Sequence, residues 1–317
     1  MRSLVLPTLI LLLSLLSLFI GVIPLTWESL RALDEQTLHI LWASRLPRTI
    51  SLIISGMSLA IAGAIMQLLT SNRFVTPSTG STTDWAKLGL LVALLIVPQA
   101  SVVAKTLLTF AFAFIGTLTF LFLLQKIRIK ETALVPLVGI LYGNVINAFT
   151  TYLAYQADLI QSVNSWALGN FALILKGRYE ILYLSIPALL IALLYANRFT
   201  ILSMGRDVAQ NLGIRYQATM QIGLIIVAIL SSLVLVSVGS IPFVGLVIPN
   251  MVSLFRGDNL EKNTIAIALS GGLFLLVCDI ISRLLIHPFE IPIGVTASIL
   301  GCLIFIIFLF TRRIYAR

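Results

Sequence analysis

The sequence predicts an all-α membrane protein of about ten transmembrane helices, and three observations carry that expectation. Of 317 residues, 59% are hydrophobic and only 10% charged, against roughly 25% charged in an ordinary soluble domain. The mean hydropathy is +1.06. Apolar runs recur from Leu4 to Phe310 with short polar stretches between them, so whole segments rather than single faces avoid water. This pattern excludes a soluble enzyme.

About 20 apolar residues cross a bilayer as a helix, and a helix satisfies every backbone group within the segment. The first run, 4–24, has a basic end at Arg2 like a signal peptide. Its nearly full membrane length, and the lack of an Ala-x-Ala-like site before Pro24, favour a span. The second, 47–69, carries Gly56, Ala60 and Ala64 on one helical face, as the fifth, 133–155, carries Gly139 and Gly143; such faces let another backbone approach closely. Between them lie 84–99 and 104–125. Asn144 and Asn147 on the fifth run cost free energy in lipid and are expected to face the bundle interior, lining a passage or bonding a neighbouring helix. The remaining runs are 180–197, 219–239, 243–256, 264–286 and 293–311. The third and eighth are short and are expected to be tilted, re-entrant or sheltered. Residues 1–317 thus form one transmembrane domain, with a cytoplasmic loop at 197–219.

Lys+Arg 21 against Asp+Glu 12 gives +9, but the basic residues sit singly or in small groups between apolar runs. That distribution points to loop anchoring, with no nucleic-acid partner. With the N-terminus inside, the cytoplasmic set holds 14 of 21 basic residues, among them Arg2, Arg128, Lys130 and Arg317. Seven fall outside: Arg31, Arg45, Arg48, Lys105, Lys176, Arg178 and Arg283. The bias predicts both termini in the cytoplasm.

Cys278 and Cys302 lie in apolar runs as small hydrophobes, and His39 and His287 have no ligand-spaced partners, so no disulfide, metal or catalytic site is expected. No phosphate-binding Gly-rich loop is present. Asp279, near the outer end of the ninth run, is the best candidate for binding a coupling ion, and one such acid is thin support for ion coupling.

Three segments depart from span and loop. In 197–219, residues 203–212 fit a short helix with Met204, Val208 and Leu212 at i, i+4, i+8, stopped by Gly213. Its mixed polar face, Arg206 and Asp207, favours docking on a protein over lying on lipid. In 43–49, Arg45 and Arg48 flank Pro47 where the second run begins, with Arg283 at the outer end of the ninth. They suit either phospholipid anchoring or bidentate pairing with carboxylates of a soluble partner. In 236–259, Gly239, Pro242, Gly245 and Pro249 are expected to break or bend helix, and such backbone must be buried in protein or face a cavity.

On these words the sequence resembles the FecCD family, the permease subunits of ABC importers for iron-siderophores, haem and cobalamin. The matching stretches are SRLPRTISLIISGMSLAIAGAIMQLLTSNRF (44–74), MGRDVAQNLGI (204–214), GSIPFVGLVIPN (239–250) and EIPIGVTASILG (290–301). NRFVTPSTGSTTDWAKLG (72–89), KGRYEILYLSIP (176–187) and FRGDN (255–259) are similar to the catecholate-siderophore branch. The resemblance implies a ten-helix permease of the cobalamin/iron-siderophore (type II) importer fold, dimerised around a central pathway with an identical or homologous second permease subunit. Two ATPase subunits would lie beneath it, and a periplasmic or lipid-anchored siderophore-binding protein above. ATP and Mg would sit on the ATPases, and no cofactor on this chain. Carried over by position, Arg45, Arg48 and Arg283 would meet acidic residues of the binding protein. Met204, Gly205, Arg206, Asp207, Val208, Leu212 and Gly213 would belong to the coupling helix seated in an ATPase groove. Where the broader family reads Asn-Pro-Leu-Ala-x-Pro-Gly this chain has NRFVTPSTG, and where it reads Pro-His this chain has Pro249-Asn250. Met66, Gln67, Asn144 and Asn147 are the expected pathway wall. The expected activity is ATP-driven import of a ferric siderophore across the cytoplasmic membrane. Haem or cobalamin import, or an ion-coupled carrier built on Asp279, are the alternatives.

Overall fold

The structure is a computed structural model, and it describes residues 5–21, 35–77, 81–126, 135–177, 179–286 and 288–315. Arg2, Arg31, Arg128, Lys130, Arg178, His287 and Arg317, and the end of the NRFVTPSTG stretch, lie outside them.

Among the described residues the chain is helical, without strands. The helices are α1 (Val5–Phe19), α2 (Glu35–Ile40), α3 (Leu46–Leu69), α4 (Thr82–Ile96), α5 (Val102–Lys126), α6 (Val135–Gln156) and α7 (Ile160–Ala167). They continue with α8 (Ser185–Leu202), α9 (Arg206–Asn211), α10 (Tyr216–Val238), α11 (Val244–Arg256), α12 (Leu260–Leu284) and α13 (Ile293–Tyr315). Each of the ten apolar runs falls on one of these helices, and six described helices are long and apolar enough to cross a membrane. The second run starts earlier than hydropathy suggested: α2 passes through a π-helical stretch, Leu41–Arg45, straight into α3. Pro47 causes no break because it lies in the first turn of α3, where its missing N–H costs nothing.

The α3, α10 and α12 helices form the centre, and α5, α6 and α8 lie around them with most of their surfaces open. Small residues decide what approaches α3. A Cβ on Gly56 would fall on the backbone of Gly271 in α12, and one on Gly63 would fall on Gly245 in α11. The expected close-packing face of α3 is therefore used, and Gly63 extends it to a second partner. Gly143 likewise abuts Asp84 of α4.

The break after α10 spans Gly239–Phe243, whereas Pro249 stays inside α11. Phe243 takes a left-handed conformation, φ 68°, that only surrounding packing sustains in a bulky residue. A backbone junction closes around this break. The Asn170 amide donates to the Val238 carbonyl at 2.9 Å, Ser240 to Ala167 at 3.0 Å, and Gly294 to Gly169 at 3.1 Å. It joins the segment after α7, the α10–α11 break and the start of α13. Sequence periodicity did not reveal α7, because eight residues are too few to stand out after the apolar run of α6.

Candidate functional site

The start of α3 and the end of α12 meet at one end of the bundle, because the two helices run antiparallel and, among the described residues, pack together extensively. Arg48, Asp279 and Arg283 come together there, joined by Glu290 from the α12–α13 connection. Arg48 Nε and Nη2 both donate to Asp279 Oδ1, at 3.0 and 2.7 Å, and Nη1 donates to Glu290 at 2.8 Å. Arg283, one turn beyond Asp279, pairs with its other oxygen. Arg283 also donates to the Ser17 carbonyl at 3.1 Å, the Ile20 carbonyl at 2.7 Å and Ser17 Oγ at 2.5 Å, tying in the end of α1. Arg45 reaches the same Ile20 carbonyl, and a Cβ at Gly21 would fall on its guanidinium.

Three cations and two carboxylates are thus gathered away from water. Asp279 is 0% exposed and Arg283 3%; the Arg48 and Glu290 side chains keep 12% and 22%. A buried charge is tolerated only when paired and hydrogen-bonded. Arg283 Nε alone has no partner. The sequence placed the three arginines at one end, and the structure confirms that they converge. It differs in turning their guanidinium groups inward onto Asp279, Glu290 and backbone carbonyls. Asp279 is the counter-ion of the cluster, so the carboxylate an ion-coupled carrier needs is already occupied. The i, i+4 spacing of Asp279 and Arg283 was a readable signal of their pairing; Glu290 had none.

At the opposite end, α8 runs to Leu202 and the coupling-type helix is shorter than expected, Arg206–Asn211 rather than 203–212. Gly205, at φ 105°, breaks the chain between the two. Gly213, at φ 77°, ends the helix turn as its sequence position suggested. Met204, Val208 and Leu212 are 60%, 42% and 60% exposed, an apolar stripe left largely open by the described residues. Arg206 and Asp207 are exposed beside it.

Next to this loop a cavity of about 260 Å³ is lined by Gln67, Asn72, Arg73, Ser203, Asn250 and Asp258, among others. The Arg73 side chain pairs with Asp258 and donates to Ser253 Oγ at 3.3 Å, while Asn250 Nδ2 donates to the Arg73 carbonyl at 3.0 Å. The two departures from the broader family pattern, at 72–80 and at Asn250, therefore touch each other. Leu260 N donates to Thr200 Oγ1 at 3.1 Å, which fixes the start of α12 against the end of α8.

The expected pathway residues scatter. Met66 is fully buried in the core, and Gln67 lines the cavity while donating to the Gly245 carbonyl at 3.1 Å. Asn144 is exposed and Asn147 half-buried. Asn144 thus lies on the outward face of α6, not toward the interior of this chain, because the glycine face at Gly143 is the one that packs on α4.

A sequence profile of the FecCD transport family matches residues 9–311. The chain is 46% identical to the petrobactin import system permease protein YclN of Bacillus subtilis (strain 168), across 97% of this chain and 98% of that protein. It is 41% identical to the ferric-anguibactin transport system permease protein FatD of Vibrio anguillarum, across 92% and 93% of the two. A solved inward-facing structure of a putative metal-chelate type ABC transporter superposes with a TM-score of 0.81 at 23% identity, covering 96% of this chain and 97% of its own.

Proposed function

The chain belongs to the FecCD transport family, and from that membership we infer that it is the membrane-embedded permease subunit of an ABC importer for a ferric siderophore. The carrying observation is the 46% identity to a petrobactin import permease over 97% of the chain, supported by the anguibactin relative. We place it in the cytoplasmic membrane with ten spans and both termini inside. ATP and Mg would be handled by two separate ATPase subunits, and the siderophore, of the catecholate type, would be delivered by a binding protein outside.

The roles follow from the two ends of the bundle. The exposed Met204, Val208 and Leu212 stripe suits a groove in an ATPase, where burying it would contribute association energy. The Arg45, Arg48 and Arg283 cluster, at the other end of the bundle, would meet acidic residues of the binding protein. The outward faces of α6, with Asn144 and Tyr152, and of α13, with Ile299 and Leu303, are open in this chain. A second permease subunit facing them would enclose a weakly polar passage in which a bulky, often anionic complex is not held tightly. Closure of the ATPases on nucleotide would move the paired coupling helices and rock the bundles between outward and inward access. Asp279, held by two arginines, has no role as a carrier of ions.

The test is uptake of radiolabelled iron by cells with and without the gene, supplied as catecholate complexes, hydroxamate complexes or haem. Loss confined to catecholates, abolished by ATP depletion and indifferent to a proton uncoupler, is the expected result. Dependence on the proton gradient would overturn the ABC reading, and loss confined to hydroxamates or haem would overturn the substrate class.

A further inference from the structure

Gln67 of α3, Asn250 of α11 and Asn263 of α12 are 9%, 3% and 4% exposed, and all three line the cavity beside the coupling-type helix. Each spends its amide nitrogen on backbone carbonyls. Gln67 Nε2 donates to Gly245 at 3.1 Å, Asn250 Nδ2 to Leu246 at 2.7 Å and to Arg73 at 3.0 Å, and Asn263 Nδ2 to Gly257 at 2.7 Å. Those bonds fix the orientation of the amides, because a flipped amide would set oxygen against oxygen. Among the described residues no donor reaches Gln67 Oε1, Asn250 Oδ1 or Asn263 Oδ1. Acceptors so deeply placed are costly unless something enters to meet them. The field around them has the matching sign. The C-terminal ends of α3, α8 and α11 border the cavity through Leu68, Ser203 and Ser253, and helix C-termini carry partial negative charge. The N-terminal end of α12, also at the cavity, is capped by Asn259, whose Oδ1 accepts from the Lys262 amide at 3.2 Å. Arg73 and Asp258, the charged side chains of the wall, pair with each other.

We propose that this cavity is a binding site for a small monovalent cation, held by Gln67 Oε1, Asn250 Oδ1 and Asn263 Oδ1 with water completing its shell. Each oxygen comes from a different helix, so the ion fastens the ends of α3 and α11 to the start of α12. A divalent ion is disfavoured, since such ions are held by carboxylates and the carboxylate of the wall, Asp258, is engaged by Arg73. Neutral carbonyl oxygens are what sodium and potassium take in exchange for hydration water. The volume, about 260 Å³, leaves room for an ion with several waters. The end of α8 is joined to the start of α12 by the bond from Leu260 N to Thr200 Oγ1, so the ion also steadies the root from which the coupling-type helix hangs.

The experiment uses the whole importer, purified in detergent without nucleotide, in chloride salts of potassium, sodium or N-methylglucamine at equal ionic strength. The fraction of this chain that stays soluble after heating is read by immunoblot. Potassium or sodium is expected to raise the midpoint by about 2 °C over N-methylglucamine, and to do so saturably; the ion that half-saturates at the lower concentration is the occupant. Asn263→Leu should abolish the rise. Asn263→Asp, which keeps an oxygen at the site and adds a charge, should lower the half-saturating concentration roughly tenfold, whatever the loss of the Gly257 bond does to the midpoint itself. Equal midpoints in the three salts overturn the proposal, as does a rise that Asn263→Leu retains or one that follows the exchange of chloride for sulfate. If Asn263→Leu does not accumulate, Asn263→Asp decides alone, and an unchanged half-saturating concentration overturns the site.

Discussion

Asp279 shows how one carboxylate organises an end of this molecule. It is fully buried and accepts from Arg48 and Arg283, so removing its charge takes the carboxylate from Arg283 and leaves Arg48 with Glu290. Breaking a buried pair costs about 3–5 kcal/mol, more than the pair itself contributes. Asp279→Asn should therefore lower the thermal unfolding temperature and the yield of purified protein. Iron uptake per folded molecule should persist, which a carrier relying on Asp279 to bind protons would not allow. Gly21 bears on the same cluster: Gly21→Ala should displace Arg45 and give a smaller loss in the same unfolding assay. The arginines were legible from the words they sit in, because an Arg-x-x-Arg at a span boundary is conspicuous. Their inward direction was not, since it depends on Glu290 and the end of α1, which are remote in sequence and near only once the helices are packed.

Among the elements, α9 and the end of α3 are the most informative. The apolar stripe of the coupling-type helix was readable from its i, i+4, i+8 spacing, and the stripe is exposed as that reading requires. Its start was misplaced by three residues because Gly205, at φ 105°, sets where helix begins. Val208→Asp should abolish co-purification of the ATPases while leaving the permease's own unfolding temperature within about 0.5 kcal/mol of the parent, as expected for an exposed site. A change in fold without loss of ATPase binding would contradict this. Packing between α3 and α12 should be less forgiving: Gly56→Leu forces apart two backbones in contact at Gly271. The expected outcome is a failure to accumulate in the membrane, checked by immunoblot of membrane fractions beside the parent protein.

For the molecule as a whole, each apolar run that hydropathy marked coincides with a helix, and among the described residues six helices are long and apolar enough to cross a membrane. Hydropathy did not locate α2, α7 or the π-helical stretch, whose signals are short or polar. Nor did it distinguish the central helices α3, α10 and α12 from the peripheral α5, α6 and α8, since lipid and protein interior are alike to a sequence. The outward placement of Asn144 follows from this same blindness. Asn144→Phe should slow iron uptake while leaving ATPase assembly and unfolding temperature unchanged, because the side chain is exposed and, on the proposed reading, faces the passage. An uptake rate equal to the parent's would remove Asn144 from the passage.

The junction of Gly169, Ser240 and Gly294 is made of peptide groups, not side chains. Truncating side chains around it deletes none of its bonds, so an alanine scan that passes over glycines would report the region as silent. What breaks it is addition: a Cβ at Gly169 falls against the Ser240 carbonyl, and one extra methyl group there pries three distant stretches of chain apart. Tolerance at this place is thus one-directional, generous toward loss of atoms and intolerant of gain.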